Sequence, residues 1–178
     1  MRTTVWTLVC AWIGLFALTA SAVGGPCLCG LLENWSFEQW DGWKPRGWDV
    51  KGILVYRVQE AKWGRLSAMI VNDWCPGANL SQEFEIKGGH RYVLLFWGYV
   101  PSPNYGGYYS IYWYDGEGSA LRTDTWRMGE EISEFTHFIK CPGPAPARAT
   151  KAVLSFEPDF ECGTLIVDGI SLFDYPIN

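Results

Sequence analysis

Residues 80–86, Leu80-Ser81-Gln82-Glu83-Phe84-Glu85-Ile86, show the local pattern from which the fold can be predicted. In an extended chain, Leu80, Phe84 and Ile86 project to one side, while the serine and the two glutamates project to the other. This alternation predicts a strand with one face in a core and one in water, which is typical of antiparallel sheets.

Similar short apolar runs recur on both sides of residues 80–86, and turn sequences separate them. Cys75-Pro76-Gly77, Gly88-Gly89 and Asp115-Gly116-Glu117-Gly118 are three such separators. Several short strands at this spacing indicate a sandwich or a barrel. We therefore expect an all-β, two-sheet antiparallel β-sandwich of about nine strands. They are predicted near residues 30–38, 48–58, 67–73, 79–86, 91–99, 108–115, 133–141, 150–157 and 164–174.

The composition excludes two classes of protein. The 178 residues include 11 Trp, 9 Tyr and 9 Phe, and a chain so rich in apolar rings is not intrinsically disordered. The formal net charge is −5 and no basic block is present, which argues against a nucleic-acid partner. A chain of this length is expected to form one domain.

The N-terminus has the pattern of a secretory signal peptide over residues 1–22. Arg2 precedes an apolar run over residues 5–18, and Ala20-Ser21-Ala22 supplies the small residues of a cleavage site. A membrane anchor is the alternative, but the run is shorter than the ~20 residues that span a bilayer. We expect a short N-terminal segment at 23–29, a domain at 30–178 and no transmembrane segment in the mature chain. The protein would be secreted, and either extracellular or held at the cell surface.

The cysteines fit an exported protein. Six are present, and loss of the signal peptide with Cys10 leaves five: Cys27, Cys29, Cys75, Cys141 and Cys162. Disulfides are the default in an oxidising compartment. Because five is odd, one thiol is free, pairs between chains, or is buried.

Several ordered motifs resemble those of carbohydrate-binding modules. Asn34-Trp35-Ser36-Phe37-Glu38, followed by Pro45-Arg46-Gly47-Trp48, resembles the opening "N-x-x-F-E … P-x-G-W" of jelly-roll modules of families 4, 16 and 22. Trp113-Tyr114-Asp115-Gly116-Glu117-Gly118 resembles their "W-Y-D-x-x-G", and Val167-Asp168-Gly169-Ile170-Ser171-Leu172 their closing "v-D-D-v-s-L". The resemblance covers nearly all of the mature chain and implies a jelly roll with the galactose-binding-like fold. It departs from the pattern at Gly169, which stands where the family has a second Asp.

The resemblance also implies a structural calcium ion. In this family the end of the first strand and the closing strand commonly share calcium, and Glu38 and Asp168 match its acidic positions. Backbone carbonyls of residues 64–67 would complete a shell of six to eight oxygens. Jelly-roll topology further implies that Cys75 and Cys141 lie at one end of facing sheets and form a disulfide. Cys27 and Cys29 are expected to reach the same end, which leaves Cys162 at the opposite end as the unpaired thiol.

Tyrosine-rich strands indicate the position of a sugar site. In residues 91–99, Tyr92, Leu94 and Phe96 match the core set of the family, so Trp97 and Tyr99 are expected to point outward. The resemblance implies that residues 108–115 form a neighbouring strand. We therefore predict a carbohydrate-binding platform, in which rings stack on sugars and polar groups bind hydroxyls, of Trp97, Tyr99, Tyr112 and Tyr114 with Ser110, Ser155 and Glu157.

Two functions remain open, and neither is enzymatic. No nucleophile or metal motif is present, and the scattered acidic residues are those of a solvated surface. The first function is a secreted, non-catalytic domain that binds a polysaccharide or cell-surface glycan. The second is an extracellular structural or adhesive subunit of a filament or surface coat, which uses the same sandwich for protein–protein assembly. Most of the remaining tryptophans are expected to pack the ends of the sandwich, and this set consists of Trp35, Trp40, Trp43, Trp48, Trp63, Trp74 and Trp126.

Overall fold

A computed structural model describes residues 30–101, 105–129, 132–160 and 163–175. The predicted signal peptide and the segment 23–29 lie outside these residues. The described part is all β, and it contains no helix long and apolar enough to cross a membrane. Its strands are β1 (Trp40–Asp41), β2 (Lys44–Pro45), β3 (Asp49–Lys51), β4 (Leu54–Val58), β5 (Ser67–Val71), β6 (Asn79–Glu85), β7 (Arg91–Tyr99), β8 (Gly107–Asp115), β9 (Ala120–Met128), β10 (Thr136–Lys140), β11 (Ala149–Pro158) and β12 (Thr164–Tyr175).

Two five-stranded antiparallel sheets pack face to face, which confirms the predicted β-sandwich. The front sheet has the strand order β3-β6-β11-β8-β9, and the back sheet has the order β10-β7-β12-β5-β4. The short strands β1 and β2 form a separate hairpin. Leu80 and Phe84 of β6 are buried as their alternation predicts, while Glu83 and Glu85 are exposed.

Aromatic rings from both sheets meet in the core. Phe96 of β7 is fully buried and packs edge-to-face on Tyr109 of β8 and Phe156 of β11, with ring centroids 4.9 Å and 5.2 Å apart. Phe138 of β10 stacks on Phe96 at 4.7 Å. Because these rings come from four strands of the two sheets, their packing fixes how one sheet lies on the other.

Residues 30–38 form turns rather than the predicted first strand. Asn34 and Phe37 have φ angles of 46° and 53°, which are incompatible with an extended chain. The turns place Phe37 inside the core against Trp48, with centroids 5.2 Å apart. The apolar residues of this segment therefore pack into the core from a turn and do not form one face of a strand.

The predicted strand at 48–58 is two strands in different sheets. Gly52 has a φ of +62°, which interrupts the extended chain between β3 and β4. β3 pairs with β6 in the front sheet, and β4 pairs with β5 in the back sheet. Gly52 thus lies where the chain crosses from one sheet to the other.

Strand β9 was not predicted, and its polar sequence explains why. Trp113, Ile111 and Tyr109 of β8 lie opposite Arg122, Asp124 and Trp126 of β9. The inward side of β9 therefore carries a charged pair, in which Arg122 Nη2 lies 2.8 Å from Asp124 Oδ2. Trp113 Nε1 donates a hydrogen bond of 2.7 Å to the same carboxylate. Since the period-two pattern counts apolar residues, it misses a strand in which an ion pair occupies two of the inward positions.

The predicted disulfide between Cys75 and Cys141 is wrong. Cys75 is a free thiol, and Cys141 is in a disulfide that does not involve it. Both follow strands of the back sheet, β5 and β10, with β12 and β7 between them. Three strand spacings amount to about 14 Å, whereas the Cα atoms of a disulfide are about 4.4–6.8 Å apart. The strand register also places the two cysteines at opposite ends of the sheet. Cys27, Cys29 and Cys162 lie outside the described residues.

Candidate functional site

The outer face of β8 carries three of the residues that the sequence predicted to bind sugar. Alternation sends Tyr109, Ile111 and Trp113 into the core, where all three are fully buried. The other side chains of β8 project from the front sheet in one row, which consists of Tyr108, Ser110, Tyr112 and Tyr114. From Tyr108 to Tyr114 this row is about 20 Å long at roughly 3.4 Å per residue.

β11 completes this surface, which we call the front face. In the register of the two strands, Ser155 lies opposite Ser110, and Glu157 lies opposite Tyr108. Five of the seven predicted sugar-binding residues are therefore together on the front face: Ser110, Tyr112, Tyr114, Ser155 and Glu157.

The side chain of Tyr112 extends along the front face rather than straight out from it. Its hydroxyl donates a hydrogen bond of 2.7 Å to Glu157 Oε1, although the residue opposite Tyr112 in the sheet is Val153. The Tyr112 side chain therefore extends along the sheet past the cross-strand pair Ser110 and Ser155. These serines are only 1% and 2% exposed, and their small side chains leave room for the ring.

The electrostatics of the front face follow from this arrangement. Burial and the hydrogen bond to Glu157 raise the pKa of Tyr112 to about 12, so its hydroxyl stays neutral at physiological pH. Within the described part of the chain, Ser155 Oγ has no hydrogen-bond partner. Buried hydroxyls are normally paired, and the Ser155 hydroxyl is buried as well as unpaired, so it does not reach the surface of the front face as the sugar-binding prediction requires.

Charged side chains flank the tyrosine row. Lys151 Nζ lies 3.1 Å from Glu83 Oε2 and 5.8 Å from the ring centroid of Tyr114. At the other end, Arg127 lies 5.8 Å from the centroid of Tyr108 and 3.5 Å from Asp159. The front face thus combines flat rings with donors and acceptors of both signs.

Trp97 and Tyr99 do not join this platform, because β7 and β8 are not neighbours. β7 belongs to the back sheet, where its outer face points away from the front face. There Trp97 stacks on His137 with centroids 4.7 Å apart, and Lys62 Nζ lies 4.3 Å from the Trp97 ring. Burial, with the charge of Lys62, lowers the pKa of His137.

Tyr99 is covered by neighbouring segments. It is buried, its hydroxyl donates to the Glu60 carboxylate, and it packs edge-to-face on Phe135 at 4.9 Å. The predicted outward orientation of Trp97 and Tyr99 is consistent with these contacts, but their membership of one platform with Tyr112 and Tyr114 is wrong.

Glu38 and Asp168 converge on one loop, as the calcium prediction requires. Asp168 accepts hydrogen bonds from the backbone N–H groups of Lys62 and Trp63, each 2.7 Å long. Glu38 Oε1 accepts from the N–H groups of Arg65 and Leu66 at 2.8 Å and 2.9 Å. The two carboxylates therefore hold successive parts of the segment 62–66.

The fit to calcium rests on these two carboxylates. Burial raises the pKa of Asp168 to about 6 against the effect of its N–H partners, and the charge of Glu38 adds to the rise. The described residues bring no third carboxylate, histidine or cysteine to the pair. Calcium takes six to eight oxygens, so the remaining ligands would be the backbone carbonyls of 64–67. The ion stays a prediction.

Comparison with solved structures identifies the fold. No known protein-family model and no curated protein match the sequence. The structure of the xylan-binding CBM22-1 domain of Paenibacillus barcinonensis Xyn10C aligns over 80% of this chain and 93% of its own, with a TM-score of 0.58 and 13% identity. Carbohydrate-binding modules of families 16 and 61 align as well. The fold is that of jelly-roll carbohydrate-binding modules, as the sequence motifs indicated.

The same fold also occurs in other proteins, in some of them as one part of a much longer chain. The enzymatically active domain of tailspike protein 4 from bacteriophage CBA120 aligns over 83% of this chain with a TM-score of 0.66 and 16% identity. The chain spans 22% of that protein and 26% of an arabinose-bound arabinofuranosidase. The Stig cyclase Fisc from Fischerella sp. TAU aligns over 83% of this chain and 97% of its own, with a TM-score of 0.61 and 14% identity. At such identities the likeness establishes the fold alone, and function has to be argued from the front face.

Proposed function

We propose that the chain is a secreted, non-catalytic domain that binds a polysaccharide or a cell-surface glycan on its front face. The observation that carries this proposal is the tyrosine row of β8 beside Ser155 and Glu157 of β11. The structural likeness to xylan-binding and galactotriose-bound modules supports glycan binding in general.

The chemistry of the front face suits a sugar chain. Pyranose rings present flat C–H surfaces, which tyrosine rings remove from water without needing an exact hydroxyl pattern. Burying ~100 Å² of apolar surface contributes roughly 2.5 kcal/mol per ring before the costs of association. Because those costs amount to several kcal/mol, two or more rings have to act together. Tyr112 and Tyr114 supply the rings, and Glu157 supplies a polar partner for hydroxyl groups.

The same geometry argues against catalysis. Glu157 lies beside the tyrosine row, and its Oε1 accepts a hydrogen bond from the Tyr112 hydroxyl. Glu83, also on this face, is paired with Lys151. A glycosidase needs two carboxylates placed across the scissile bond, one of them protonated. Two paired carboxylates in a hydrogen-bonded network are better suited to holding hydroxyl groups.

Affinity electrophoresis through gels that contain soluble polysaccharides tests the proposal. We expect the wild type to be retarded by at least one polysaccharide and Tyr112→Ala to migrate as in a sugar-free gel. Tyr56→Ala is the matched control, because Tyr56 is an exposed tyrosine on the back sheet. The proposal is overturned if no polysaccharide retards the wild type, or if Tyr112→Ala with an unchanged melting temperature is retarded equally.

A further inference from the structure

An exposed aromatic pair lies at one end of the sandwich, outside the front face. Trp74 follows β5 and is 58% exposed, while Phe160 follows β11 and is 47% exposed. Their rings meet edge-to-face, with centroids 5.8 Å apart and planes at 81°. We call Trp74 and Phe160 the end pair. Trp74, like Trp43, is thus an exception to the expectation that most of these tryptophans pack the ends of the sandwich.

The backbone holds Trp74 in this position at a cost. Trp74 has a φ of +62°, a conformation that bulky residues rarely adopt. Asn72, which is buried, stabilises the turn, because its Oδ1 accepts the Cys75 N–H at 2.9 Å. Folding stability alone poorly explains why Trp74 has both a strained backbone and an exposed ring. Backbone strain of this kind concentrates at ligand-contacting sites.

The loops that carry the end pair are tied together. The Asn72 N–H donates to the Gly163 carbonyl at 3.0 Å, and Asn72 Nδ2 donates to the Pro158 carbonyl at 3.3 Å. The Asp159 N–H donates to the Gly106 carbonyl at 3.0 Å. The backbone that carries both rings is therefore held in place before any ligand arrives, which reduces the entropy that binding would cost.

The end pair is continuous with the front face. Phe160 is separated from Glu157 only by Pro158 and Asp159. Asp159 pairs with Arg127, and Arg127 lies beside Tyr108 at the end of the tyrosine row. Polar groups of both signs thus lie between the last tyrosine of the front face and the first ring of the end pair.

We propose that the end pair is an additional sugar-contacting subsite, and that the natural ligand is a polysaccharide that extends from the front face over the end of the sandwich. This inference rests on the proposed function. Two ring faces at nearly a right angle present apolar surface to a pyranose from two sides, and Asp159 and Arg127 supply hydroxyl partners. A short oligosaccharide would occupy the front face alone, whereas a longer chain would reach Trp74 and Phe160.

Trp74→Gly and Phe160→Ala are the test variants. Glycine adopts the φ of +62° without steric cost, so Trp74→Gly removes the ring and the strain together and is expected to fold. Trp43→Ala is the matched control, because Trp43 is 65% exposed in the turn between β1 and β2. Affinities are measured by calorimetry for a size series of oligosaccharides prepared from the polysaccharide that retards the wild type.

We expect wild-type affinity to rise with chain length until the end pair is covered. Trp74→Gly and Phe160→Ala should each lower the affinity for the longest chains by about tenfold and leave that for the shortest unchanged, while Trp43→Ala binds all lengths as wild type does. Equal long-chain binding by Trp74→Gly and wild type overturns the inference. In that case the proposed function still stands if Tyr112→Ala loses binding at every length.

Self-association is measured on the same samples by sedimentation velocity. If the wild type is a dimer that Trp74→Gly converts to a monomer without a length-dependent loss of binding, the end pair is a subunit interface and the inference is wrong. A monomer at all concentrations, together with the length-dependent loss, supports the sugar subsite.

Discussion

In Tyr112, on the front face, the ring and the hydroxyl have different roles. The ring of Tyr112 offers a flat apolar surface, whereas its hydroxyl is already bonded to Glu157 at 2.7 Å. A sugar that stacks on the ring need not displace this bond. Tyr112 is therefore expected to contribute through its ring, and Glu157 through the oxygen that the tyrosine does not use.

Tyr112→Phe separates the two contributions. It keeps the ring and removes only the hydroxyl, so we expect glycan affinity within about threefold of wild type. Tyr112→Ala should lose more than tenfold, because roughly 2.5 kcal/mol of apolar burial is lost. Calorimetric titration with one oligosaccharide measures both variants. Equal losses would mean that the hydroxyl, rather than the ring, binds the sugar.

Trp97→Ala and Phe96→Ala test which sheet binds. Phe96 is fully buried, and its removal should lower the free energy of unfolding by about 3–5 kcal/mol. Trp97 is half-buried on the outer face of the back sheet, so its truncation should cost less and leave glycan binding unchanged. Urea denaturation and affinity electrophoresis report the two properties. Loss of binding by a stable Trp97→Ala protein would move the site to the back sheet.

At the scale of elements, local sequence patterns predicted which side chains of a strand face the core, but not which strands are neighbours in a sheet. In β7 the resemblance to the family's core set, and in β8 alternation, identified which side chains are inside, and strand parity then gave the rest. It did not reveal that the two strands lie in different sheets, since hydrogen-bonded neighbours are chosen by contacts distant in sequence. β9 was not predicted for a different reason: Arg122 and Asp124, which form an ion pair, occupy two of its inward positions.

Gly52→Ala tests the crossing between β3 and β4. A side chain at a φ of +62° costs about 1–2 kcal/mol, and a Cβ on Gly52 would lie 2.7 Å from Cys75 Sγ. Gly42→Ala is the matched control, because Gly42 has a φ of +65° and open space around its Cβ position. We expect both variants to lose stability in thermal unfolding, and Gly52→Ala to lose more. Adding Cys75→Ala should remove the excess, and an excess that persists would exclude the thiol as its cause.

For the whole molecule, the sequence predicted the class of fold but not its long-range pairings. The motifs that indicate the jelly roll, such as residues 34–48 and 167–172, report local turns and strand ends. The disulfide and the shared aromatic platform both depended on which strands face each other across the sandwich. Both failed because Cys75 and Cys141 follow strands of one sheet, while Trp97 and Tyr112 lie on two.

Calcium is predicted to tie three distant segments of the molecule together. Glu38 precedes β1, Asp168 lies in β12, and both hold the segment 62–66 between β4 and β5. A cation between the carboxylates would relieve their repulsion, and an ion that binds only the folded state stabilises it by about 2.7 kcal/mol at 100 times its Kd. We therefore expect chelation to lower the melting temperature and added calcium to restore it. Glu38→Gln should weaken this response, while Glu85→Gln, a change at an exposed glutamate of the front face, should preserve it. A melting temperature that chelation leaves unchanged would mean that the backbone N–H groups of Lys62 to Leu66 are enough to hold the two carboxylates without an ion.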